Sequence, residues 1–61
     1  MQIEDIKLRF IERFGIRTNE GGETDDMAWR ETKKEITPLL EKTYKGGEIK
    51  NFYKLWREEI I

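Results

Sequence analysis

A chain of 61 residues makes one domain, and its formal net charge of −1 gives no overall field that seeks polyanions. Cysteine, histidine and serine are all absent, which excludes disulfides, the common zinc sites and the familiar nucleophile–imidazole arrangements of catalysis. A core this small then rests on packing or self-association, and two Trp, two Tyr and three Phe with many Ile and Leu suit the first.

The first segment, Ile3 to Phe14, reads as a helix. At about 100° per residue Ile3, Ile6, Phe10 and Phe14 fall within one narrow arc. Gly15 stands where a left-handed C′ residue is wanted, and Ile16 follows as the apolar C″ residue that folds back on Ile11. The helix is therefore expected to stop there. Leu8 and Ile11 lie off the main arc.

Residues 17–24 form the expected first loop, in which Gly21-Gly22 removes helix propensity. Thr24 is the expected N-cap of the next helix, with Asp25 and Asp26 in its first turn, where the macrodipole favours acids.

The second segment holds two readings open. Trp29, Thr32, Ile36, Leu40 and Thr43 keep one helical phase, with Leu39 and Tyr44 flanking, which predicts a long helix to about Lys45. Pro38 opposes this, because it lacks a donor, clashes with the carbonyl of Lys34 and disfavours α geometry at Thr37. The helix either kinks at Pro38 or breaks at 36–37 and restarts with Thr37 as N-cap.

Gly46-Gly47 reads as the second break. Glu48 to Ile60 is the final helix, with Ile49, Phe52, Tyr53, Trp56 and Ile60 on one face. The economical fold for residues 1–61 is an all-α, compact bundle of three short helices, the middle one kinked or broken at Pro38. Beginning at Met1, the chain reads as one small reading frame. With no secretory signal and no run near the roughly 20 apolar residues that span a bilayer, it is expected to be soluble and cytoplasmic.

Few residues offer chemistry. Asp25-Asp26 and Glu58-Glu59 are neighbours in sequence, which on a helix turns them about 100° apart rather than into a dyad. Glu20, Glu23, Asp25 and Asp26 lack the alternating spacing of a calcium loop, and neither glycine pair fits a phosphate loop. The chain is expected to be no enzyme and to need no cofactor, metal or small-molecule substrate.

Two surface features remain. Lys50, Lys54 and Arg57 recur along one side of the last helix with Asn51 close by, an arrangement that suits phosphate contacts and a base edge. Glu48, Glu58 and Glu59 share that helix and oppose the reading. A helix-turn-helix alignment on Gly46 also puts Glu41, Lys42 and Lys45 where apolar or small residues belong. The second feature is an apolar surplus of Leu8, Ile11, Leu39, Leu55 and Ile61, which sit off the buried arcs and together would make a contact patch.

Charge is also uneven. Residues 1–26 hold seven acids against four bases, and residues 27–61 hold eight bases against six acids. These features favour a non-catalytic protein-interaction module that binds another protein or itself. Stand-alone helical chains of this size are common in phages and mobile elements, as inhibitors or adaptors of host proteins. The alternative is a small nucleic-acid-binding or regulatory domain using helix 48–60.

Overall fold

The computed structural model describes residues 2–61. It contains three helices, α1 (Ile3–Asn19), α2 (Asp25–Glu41) and α3 (Gly46–Ile60), joined by short loops. All-α architecture with three helices is as the periodicity requires, while several boundaries move.

The first to move is the end of α1. Gly15 does not stop it: the helix runs on to Asn19, and Ile16 is an exposed helical residue rather than a C″ anchor. Tertiary contacts on the extra turn explain this. The Arg17 guanidinium donates to Thr32 Oγ1 at 3.1 Å and pairs with Glu35 at 2.8 Å, and the Thr18 hydroxyl donates to the carbonyls of Phe14 and Gly15. Together these outweigh the ~1 kcal/mol that one interior glycine costs a helix. The glycine in the left-handed region is Gly22, with φ of +66° in the α1–α2 loop.

α2 begins as expected. Thr24 is its N-cap, and its hydroxyl accepts from the Met27 N–H at 3.3 Å. The helix is continuous through Pro38, so it does not break at 36–37 and restart. Thr37 lies inside it, its hydroxyl donating to the Lys33 carbonyl at 2.6 Å. Lys34 and Pro38 are both exposed, so water can reach the carbonyl that proline leaves without a donor. α2 ends at Glu41 rather than near Lys45, and Thr43 falls outside it.

α3 starts two residues before the expected Glu48. Gly46 and Gly47 are its first turn, not a break, and the break is the preceding Lys42–Lys45 stretch. The Glu48 carboxylate accepts from the Lys45 N–H at 3.2 Å and satisfies one donor at the helix start.

The core joins Ile6, Phe10 and Phe14 of α1 to Ala28, Trp29, Thr32, Ile36 and Leu40 of α2 and Ile49 and Trp56 of α3. Phe10 is its centre. The Phe10 ring lies 4.8 Å from Trp29 and 5.7 Å from both Tyr53 and Trp56, centroid to centroid, so one α1 side chain touches both other helices. Tyr44, half-buried, meets Phe52 at 4.9 Å and covers the end of the core near the α2–α3 loop. Leu39 is not spare: it is half-buried against this core. α2 lies between two neighbours and so needs a wider apolar face than one arc provides.

An ion pair crosses each helix interface. Glu35 of α2 takes both Arg13 and Arg17 of α1, Lys7 of α1 meets Glu59 of α3, and Arg57 of α3 meets Asp26 of α2 at 3.0 Å. Such pairs add little energy on a surface, yet they fix which helix sits beside which.

Candidate interaction surfaces

The three helices leave two faces with distinct chemistry, one between α2 and α3 and one on the outside of α1.

α2 and α3 run alongside one another in opposite directions. Asp26 meets Arg57 near one end, and the Tyr53 hydroxyl lies 2.7 Å from Thr37 Oγ1 further along. Pro38 and Ile49 line the same depression beyond that point. These landmarks run from Asp26 to Pro38 on α2 and from Arg57 to Ile49 on α3.

On the side away from α1 the hairpin encloses a shallow groove. One end, of about 660 Å³, has Pro38, Ile49 and Tyr53 on its floor and Arg30, Lys33, Lys34 and Lys50 around it. The other end, of about 570 Å³, shares Lys33, Lys50 and Tyr53 and adds Asn51, Lys54 and Arg57. Among the described residues Arg30, Lys33, Lys50 and Lys54 make no ion pair, and Lys33 sits 6.0 Å from the Tyr53 ring centre. Arg57 is different. It pairs with Asp26 and lies 5.5 Å over the Trp29 ring, so it belongs partly to the packing. Burial pushes the Tyr53 phenol above its ordinary range, with the Glu41 charge adding to this and the Thr37 hydrogen bond opposing it. Tyr53 is neutral in the groove at neutral pH.

Helix 48–60 supplied only half of this site in the sequence reading. The other half is Arg30, Lys33 and Lys34 of α2, which fall at i, i+3 and i+4, so the signal was present in the spacing. It becomes a site only once α3 is laid beside it.

The apolar surplus divides. Leu8 is 63% exposed and Leu55 59%, with Ile11 and Ile61 also exposed. Leu55 and Ile61 are six residues apart, which turns them about 120° from each other around α3. Leu8 and Ile11 share one face of α1, and the exposed charged residues one turn to either side, Glu4 and Glu12, are acids. Of Leu8, Ile11, Leu39, Leu55 and Ile61, Leu39 thus leaves the exposed set for the core, and the other four are on the surface. Met27 and Ile16 are two further exposed apolar residues outside that set.

No group of three or more acidic, His or Cys side chains among the described residues is placed to hold a metal ion. Among the described residues no helix is long and apolar enough to cross a membrane. Compared with known protein families, curated proteins and solved structures, the chain matches none.

One ionisable group ties the scaffold to pH. Burial tends to raise the Glu35 carboxyl, but hydrogen bonds and charge from Arg17 and Arg13 outweigh it and hold the carboxyl below its ordinary 4.5. A carboxyl depressed by folding stabilises the native state above its unfolded value, and that stability is lost as pH falls through the folded one. Glu35→Gln is thus expected to flatten the acid limb of the stability–pH curve below about pH 4.5, read by urea melts in acetate and formate buffers. Parallel curves for the two proteins would remove Glu35 from the acid response.

Proposed function

We propose that this chain is a non-catalytic protein-interaction module whose working surface is the α2–α3 groove, and that the groove takes an amphipathic, acid-flanked helix of a partner protein. The observation that carries this is a set of unpaired cations, Arg30, Lys33, Lys50 and Lys54, around a floor of Pro38, Ile49 and Tyr53. Apolar anchors on such a helix would cover the floor while its carboxylates meet the cations, the helix-in-groove mode of recognition. A fourth helix laid along an antiparallel pair is also the ordinary way a helical bundle grows.

A nucleic-acid duplex fits the same surface less well. Reading a groove of DNA needs a protruding helix, whereas these cations line a concavity, Glu41 lines one end of it, and Arg57 at the other end is paired with Asp26. A binder of this size without catalytic groups acts by occupying its partner's surface, as an inhibitor or adaptor.

The test uses a synthetic helical peptide with leucines at i, i+4 and i+7 and glutamates on both flanks, titrated into the labelled protein by NMR. Shifts confined to Lys33, Pro38, Ile49, Lys50 and Tyr53, with affinity weakened about tenfold or more in Lys33→Glu/Lys50→Glu, are expected. A short DNA duplex that binds more tightly than the peptide, with a steep salt dependence, would instead make nucleic acid the ligand.

A further inference from the structure

The chain carries its own copy of the ligand that this groove suits. On α1 the exposed residues Glu4, Leu8, Ile11 and Glu12 form a short stripe, apolar in the middle and acidic at both ends. Asp5, also exposed, adds a third acid beside it. Glu4 to Glu12 spans about 12 Å of helix. Two bases flank the stripe, Arg9 on one side and Lys7 on the other, and Lys7 is paired with Glu59.

Resting on the reading of the groove given above, we propose that its occupant is α1 of a second copy of this chain. Leu8 and Ile11 lie on Pro38 and Tyr53 of the neighbour, and Glu4 and Glu12 meet the cations of Arg30, Lys33, Lys50 and Lys54. Charge complementarity selects this occupant, because acids lead on one face and unpaired bases on the other within a chain of nearly zero net charge.

The symmetry follows from where the faces lie. α1 turns Ile6, Phe10 and Phe14 toward α2 and α3, so its Leu8–Ile11 face points outward. The groove lies on the far side of the α2–α3 hairpin. The stripe and the groove are thus on opposite sides of the molecule and cannot satisfy each other across a single two-fold axis. The contact is head-to-tail, each copy giving its stripe to one neighbour and its groove to another, and it builds an open chain or a ring.

This arrangement has a sharp test in two variants of the full chain. Leu8→Lys/Glu12→Lys spoils the stripe and keeps the groove, whereas Lys33→Glu/Lys50→Glu does the reverse. Leu8, Glu12 and Lys50 are exposed and Lys33 is half-buried, so circular dichroism checks that helicity is kept. In sedimentation velocity from about 10 µM to about 1 mM, the range of small interfaces, the parent chain is expected to grow in mean mass with concentration. Raising salt from about 0.05 to about 0.5 M should reverse that growth. Each variant alone should stay monomeric.

Mixed in equal amounts, the two variants should give a one-to-one dimer and nothing larger, because one intact stripe meets one intact groove and no further contact is left. A parent chain monomeric throughout, variants that associate like the parent, or a mixture that stays monomeric would each overturn the proposal. If the acidic peptide still binds the groove in that case, the groove is a site for another protein's helix. If the peptide fails as well, the reading of the groove falls with it.

Discussion

Phe10→Ala is expected to destabilise the fold by about 3–5 kcal/mol, the range for removing a fully buried aromatic ring. The ring is wholly inaccessible and packs on Trp29, Tyr53 and Trp56 at once. Its loss removes the side chain through which α1 touches both other helices. Domains of this kind hold only roughly 0.05–0.15 kcal/mol of stability per residue, so the loss is comparable with the whole. Urea melts followed by circular dichroism should show a chain largely unfolded without denaturant. A loss under about 1 kcal/mol would mean that the aromatic cluster closes over the gap, and Phe10 would not be its centre.

The largest gain in stability is expected from Gly15→Ala, about 1 kcal/mol. Gly15 is an interior helical residue without positive φ, and an added methyl would meet only the Asn19 side-chain nitrogen at 3.9 Å, an ordinary contact. Alanine there lowers the entropy of the unfolded chain and keeps the helix intact. The sign of the change discriminates between two structures. If Gly15 were a left-handed helix stop, alanine would cost about 1–2 kcal/mol, so a fall in the urea midpoint would contradict the continuous helix.

That glycine also marks the limit of what one segment reveals about itself. The apolar arcs were legible because burial imposes helical spacing directly on side chains: Ile6, Phe10 and Phe14, then Trp29, Thr32, Ile36 and Leu40, then Ile49 and Trp56, all reached the core. Thr24 was legible as a cap for a similar local reason. Gly15, Gly46 and Gly47 were not, since each costs a helix only about 1 kcal/mol, and contacts with other segments or a capping carboxylate decide the outcome. Leu39 looked spare beside one arc because the arc of a helix with two neighbours is wider than that of a helix with one. The groove was half legible. Lys50, Asn51, Lys54 and Arg57 were visible along one helix, whereas Arg30, Lys33 and Lys34 gained meaning only when α2 and α3 were set side by side.

The order of the elements has a kinetic consequence. α1 reaches α2 through the five residues 20–24 and α2 reaches α3 through the four residues 42–45, so the closest backbone packing is between sequence neighbours, with α1 and α3 meeting through side chains. Closing loops this short costs little entropy, and helical proteins dominated by such local contacts fold in microseconds to milliseconds. α2 is the partner common to both hairpins. A chain ending near Glu41 has both partners of the α1–α2 pair, but Phe10 gains Tyr53 and Trp56 only when α3 arrives.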